Sequence, residues 1–204
     1  MSAELERMVE ISRRQAIEDV ASDLFRERGY AATSIRDIAR ALSVQGASLY
    51  AHVTSKEDVL WGIVDRAAAR FEAAADLAQR EADARRPGDP IEAVAALIRA
   101  HVEVLTSDVD EAGVFVHEWR ALGPDRRAVI LERRDAYERR FRKHIEDGIA
   151  VGAFAITDPA VATSTLLSAL NGVATWYDPT GRLSPDRIAD HLVDMSMRML
   201  GAAA

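Results

Sequence analysis

Apolar residues recur along this chain with a period near 3.6, and capping residues and prolines mark the breaks between runs. Ile17, Val20, Ala21, Leu24 and Phe25 share one helical face, which predicts a helix from about Ile11 to Arg28 with Gly29 as its C-terminal cap. Ile35, Ile38, Ala39 and Leu42 repeat the i, i+3, i+4, i+7 spacing, predicting a second helix from Ser34 to about Leu42. Ser34 can cap it, and Asp37 completes an acidic capping box. A third helix, from about Gln45 to Val53, is too short to stand alone and must be anchored by Leu49 and Val53. Ser55, with Asp58 three residues on, opens an alanine-rich helix to about Arg85. At about 1.5 Å per residue this is a rod of roughly 45 Å.

Arg86-Pro87-Gly88 ends the rod. Asp89-Pro90, Gly123-Pro124, Asp158-Pro159 and Ser184-Pro185 then each pair a cap with a proline at the first helical position. They predict a helix from Pro90 and others near 124–151, 159–177 and 185–200. No stretch shows sustained period-two alternation. The expected fold is all-α, with an N-terminal domain over 11–71, a helix-turn-helix at about 34–53, and a helical domain over 72–204. The long helix joins them.

The last two helices are apolar on more than one side. Leu166, Leu170, Val173 and Tyr177 form one stripe, and Ile188, Leu192, Met195 and Met199 another. Such helices need more than one partner. Two readings fit: the middle of a core, or a four-helix interface with a second copy of the chain.

Composition narrows the classes. The 204 residues are 49 % hydrophobic and 29 % charged, ordinary for a globular protein. With no cysteine, disulfides and thiolate chemistry are excluded, and no metal or cofactor is expected. No run reaches the roughly 18 apolar residues of a membrane span, so no membrane partner is expected and the implied location is the cytoplasm. Motifs for a di-iron bundle, a zinc protease or a phosphate loop are absent, and the five histidines are scattered. An all-helical enzyme is the remaining alternative class.

A short helix bearing small and hydroxyl side chains fits the major groove of double-stranded DNA. The net charge of −7 gives no general basic footprint, and residues 1–60 hold eight Lys or Arg against ten Asp or Glu. Between Thr33 and Lys56, however, Asp37 is the lone acid beside Arg36, Arg40, His52 and Lys56. Weak nonspecific binding is expected, with specificity coming from position and symmetry.

The order Gly29-Tyr30-x-x-Thr33-Ser34-Ile35-Arg36-Asp37-Ile38-Ala39, then Ala47-Ser48-Leu49-Tyr50-x-His52-Val53, then Ser55-Lys56-Glu57-Asp58 resembles the DNA-binding domain of the TetR family of bacterial transcription regulators. The match covers roughly residues 11 to 60. The resemblance implies a homodimeric, ligand-responsive regulator, read as a repressor, on a two-fold operator. By motif position it makes Thr33 and Ser34 phosphate contacts and groups Tyr50, His52 and Lys56 in the same clamp. Arg36 becomes the candidate for bidentate guanine recognition. Gln45, Gly46, Ala47, Ser48 and Ala51 line the reading helix. Their small side chains leave part of the readout to DNA shape and to an N-terminal arm with Arg13 and Arg14.

Trp61, Trp119, Tyr137, Phe141 and Trp176, with the polar ends of His101, His117, Arg120, Arg134 and Asn171, are candidates for an effector site. An ordinary core also needs such aromatics, and a second domain serving only assembly stays open. Asn171-Gly172 and Trp176-Tyr177-Asp178-Pro179-Thr180-Gly181-Arg182-Leu183-Ser184-Pro185 resemble a TetR branch that answers to acyl-coenzyme A thioesters. That makes such a thioester the first expected effector, with another hydrophobic metabolite or a drug as the alternative.

Overall fold

A computed structural model of the chain describes residues 2–202; the side chains of residues 2–12 and of Ala47 lie outside the description. Among the described residues the regular structure is helical, without strands. The chain divides into two compact units, Met1–Ala67 with Asp110–Ile130, and Ala68–Val109 with Leu131–Ala204. The first unit thus takes in a segment that the sequence pattern assigns to the second domain.

The first unit contains α1 (Ser2–Arg28), α2 (Ile35–Ala41), α3 (Gly46–Leu49), the start of α4 (Lys56–Arg85), most of α6 (Val109–His117) and the start of α7 (Pro124–Ala150). Ile17, Phe25, Ile38, Leu49, Val53, Leu60 and Ile63 are buried together as its core. Each such large apolar side chain contributes about 1.5–3 kcal/mol when fully buried. Gly29 ends α1 as expected, at φ 82°, with its N–H donating to the Phe25 carbonyl at 2.9 Å. Helix α1 starts well before Ile11, so Arg13 and Arg14 stand on a helix and are not part of an arm. Helix α3 is shorter than predicted. The N–H groups of Ala51 and His52 donate to carbonyls three residues back, so the chain winds into tighter turns before Val53.

In the second unit α5 (Pro90–Ser107) is buried on several sides and packs with α8 (Pro159–Asn171), α9 (Val173–Trp176) and most extensively α10 (Pro185–Met199). Asp89, Asp158 and Ser184 cap their helices through side-chain oxygens that accept backbone N–H bonds, each followed by a proline. The predicted 159–177 helix is broken. Thr175 donates both its N–H (3.0 Å) and its hydroxyl (2.6 Å) to the Gly172 carbonyl, which tightens the turn there. Helix α6 and a 3-10 turn at Trp119–Ala121 were not anticipated. The α5 break carries neither glycine nor proline: Thr106 and Ser107 hydroxyls donate back to the Val102 and Val104 carbonyls, and Asp108 turns extended at φ −147°.

The last two helices correct the interface reading. Leu166, Leu170, Val173, Tyr177 and Ile188 are all buried within one chain, because α8, α9 and α10 close over α5. They lie in the core of their own chain, the first of the two readings. Leu192 is half-buried, and the apolar side chains left exposed are Met195, Met199, Trp176 and Val161.

Candidate functional site

The capping box expected at α2 is formed. Ser34 Oγ accepts the Asp37 N–H at 3.2 Å, and Asp37 Oδ2 accepts the Ser34 N–H at 2.9 Å and its hydroxyl at 2.5 Å. These bonds from Ser34 hold the Asp37 carboxyl below its usual pKa. The box fixes where α2 starts, and Arg36, on its first turn, projects into solvent. Gln45, Ser48, Tyr50 and Ala51 are exposed, Gly46 and His52 half-buried, and the Ala47 side chain lies outside the described residues. Tyr50 is 58 % exposed although Leu49 beside it is sealed in the core. Ser48 and His52 also edge a groove of about 390 Å³ between α1 and the α2–α3 turn, with Arg13, Ile17, Leu42 and Val44.

Two predicted phosphate contacts have other work in the fold. Thr33 is 2 % exposed, and its hydroxyl donates to the Gly29 carbonyl (3.0 Å) and the Leu24 carbonyl (3.3 Å). Lys56 Nζ donates to the carbonyls of Tyr30 (2.7 Å) and Thr33 (2.8 Å) and sits 4.1 Å from the Tyr30 ring centroid. It pins the loop that delivers Ser34 to α2. One of its three donors is left for an outside anion.

Sequence reasoning missed a charged network in the same unit. Glu18, 5 % exposed, binds Arg14 at 3.0 Å and Arg66 at 2.6 Å, and Arg66 also binds Asp19 and Glu111. Asp58 accepts from the Thr54 N–H, Arg14 and Arg126. Burial opposes the Asp58 charge, but those three donors outweigh it and hold its pKa below the ordinary value. For Glu18 burial wins and the pKa is raised despite both guanidiniums. Glu118 and Glu57 accept the backbone N–H groups of Tyr30 and Gly123, each at 3.1 Å. Arg14–Glu18 and Thr54–Asp58, both at i, i+4, had a local signal; the other contacts of the network join distant residues.

The ten effector candidates are distributed over both units. Trp61, His117, Trp119 and Arg120 belong to the first unit: Arg126 covers the Trp61 ring, Arg120 covers the buried Trp119, and His117 is exposed. In the second unit, His101, Tyr137 and Phe141 gather with Phe71, their ring centroids 4.8–6.4 Å apart. His101 Nδ1 lies 3.1 Å from the Tyr137 hydroxyl. Burial first, then the Arg134 charge, push the His101 pKa down to about 3 against an opposing effect of Asn171. Burial raises that of Tyr137. Trp176 is 55 % exposed and outside this cluster. A separate groove of about 520 Å³ in this unit, where Gln79 meets His144 at 2.9 Å, contains none of the ten.

Two family profiles cover most of the chain. Residues 17–61 match the bacterial regulatory proteins of the tetR family, and residues 87–200 match the tetracyclin repressor-like C-terminal domain. The chain belongs to the TetR family. By that membership it is a DNA-binding transcriptional regulator, not an enzyme. Among TetR relatives, it is 27 % identical over 183 residues to the HTH-type transcriptional repressor KstR2 of Rhodococcus jostii, covering 87 % of this chain and 85 % of that one. The TetR regulator PfmR of Thermus thermophilus superposes with a TM-score of 0.79 at 31 % identity, over 89 % of this chain and 97 % of that one. AibR, solved with isovaleryl coenzyme A and operator DNA, gives 0.77 at 29 % identity, over 90 % and 97 %.

Proposed function

We propose that this TetR-family chain acts in the cytoplasm as a homodimer on a two-fold operator. A hydrophobic effector, first an acyl-coenzyme A thioester, binds its second unit and releases it. The observation that carries the DNA half is the α2–α3 geometry: a fixed capping box with Arg36, Gln45, Ser48, Tyr50 and Ala51 exposed together over a sealed Ile38–Leu49 core. Ser34, Tyr50, His52 and the free donor of Lys56 serve the phosphates, Arg36 a base, and Gly46, Ala47 and Ser48 the groove wall. Thr33 contributes by holding the loop. Phosphate contacts set register and base contacts set sequence.

The exposed Met195, Met199, Trp176 and Val161 support a second copy as partner, since a monomer rarely leaves so many large apolar groups uncovered on helices packed around one central helix, here α5. The thioester reading draws on the likeness to AibR, which binds isovaleryl coenzyme A, and on the aromatic cluster of the second unit. Typical coupling free energies of about 1–3 kcal/mol would change operator affinity roughly 5–150-fold. The test is to titrate isovaleryl and longer acyl-coenzyme A compounds into a preformed protein–operator complex. Release by a thioester supports the reading, while release only by an unrelated hydrophobic compound moves the effector to another class.

A further inference from the structure

This inference rests on the second unit being the effector-binding part. We infer that His101 is the hydrogen-bond donor for an uncharged carbonyl oxygen of the effector, held in its donating tautomer by Tyr137. His101 is 3 % exposed, and its Nε2 is buried with no hydrogen-bond partner. The Tyr137 hydroxyl has one partner among the described residues, His101 Nδ1 at 3.1 Å. If Nδ1 carried the proton, the phenol hydrogen and the Nε2 lone pair would both go unused. If the phenol donates to Nδ1, the Nε2–H alone lacks a partner.

The surroundings select what can answer that N–H. Phe71 and Phe141 flank the imidazole with ring centroids at 4.8 and 6.4 Å, so the ring sits in largely aromatic surroundings. The Asn171 side chain acts on the ring but does not reach hydrogen-bonding geometry with Nε2. Burial and the Arg134 charge keep the ring neutral at physiological pH, so it is a dipolar donor and not a cation. A neutral N–H among aromatic rings suits an oxygen acceptor on an apolar chain, the pairing that a thioester or ketone presents.

Two measurements on the full-length protein test this. ¹⁵N-histidine NMR of the effector-free protein should show His101 as the Nε2–H tautomer, still neutral at pH 5. In calorimetry, octanoyl-coenzyme A should bind about tenfold more tightly than the S-octyl thioether, which lacks the carbonyl, because the donor is otherwise left unpaired. His101→Phe, which keeps the ring volume, should level the two; if it does not fold, the wild-type comparison and the tautomer decide. An Nδ1–H tautomer, equal affinity for the two compounds, or binding of neither overturns the assignment. A carbonyl preference without operator release would leave the assignment standing and remove the regulatory reading instead.

Discussion

Glu18 and Gly62 share one space: a Cβ added at residue 62 would fall 1.9 Å from Glu18 Oε1. That carboxylate cannot swing away freely, because Arg14 holds Oε1 at 3.0 Å and Arg66 holds Oε2 at 2.6 Å. The glycine inside α4 is therefore a packing requirement of a buried ion pair. Helix propensity alone would have Gly62→Ala gain about 1 kcal/mol. The overpacked carboxylate should reverse the sign, giving a net loss of about 1–2 kcal/mol. Denaturant melts of Gly62→Ala, Glu18→Ala and the double variant check it; the two effects should be strongly non-additive.

The turn between α2 and α3 carries its own strain. Ser43 has φ 57°, a left-handed conformation in a residue with a side chain. Ser43→Gly should raise stability by about 0.5–1 kcal/mol after the entropy of the unfolded glycine is counted, while Ser43→Val should lower it. Thermal unfolding of the three proteins is the measurement. Equal melting temperatures would show that the turn bears no strain.

Arg36 and Lys56 should separate in DNA binding. Arg36→Ala is expected to cost about 1–3 kcal/mol on the true site and to relax base preference at one position per half-site. Lys56→Ala should weaken binding to all sequences alike and reduce the salt slope by about one unit. It should also lower stability, since Nζ holds the Tyr30 and Thr33 carbonyls. Salt titrations of both variants on specific and scrambled duplexes distinguish the roles.

Acid should destabilise the protein through its buried imidazoles. The His101 pKa is lowered from 6.5 to about 3, so below pH 6.5 the unfolded state binds a proton that the folded state refuses. Stability therefore rises with pH across that window. His101 alone should make pH 5 worse than pH 7 by about 2 kcal/mol. His144, lowered by burial and then by Lys143, acts in the same direction. His101→Phe should flatten the urea-melt dependence between pH 5 and pH 7. An unchanged slope would mean that His101 titrates normally.

What could be read from the sequence was what is local. The capping box of Ser34 and Asp37, the Gly29 cap and three cap-proline starts each depend on residues within a turn of one another, and the fold contains them. Helix α6 was hidden because the break before it is made by hydroxyls and Asp108, which leave no glycine or proline to notice. The Arg66 network was invisible because its partners stand 45 to 48 residues away. The stripes of α8 and α10 were legible as apolar, but a helix buried on several sides does not say which stripe faces its own chain. Leu170 turns inward and Met195 outward because of where α5 lies. Accordingly Met195→Asp should shift the light-scattering mass from twice 22.4 kDa toward one chain, whereas Leu170→Asp should unfold the protein.

Selection of bound duplexes from a random pool tests the DNA-reading claim most directly, run in parallel with wild-type protein and Arg36→Ala. The expected result is a two-fold symmetric site whose half-site centres lie about 34–36 Å apart or a multiple of it. Arg36→Ala should recover the same spacing with one base position per half-site relaxed. A wild-type pool without symmetry, or identical base preferences from the two proteins, would contradict the two-fold, Arg36-dependent reading.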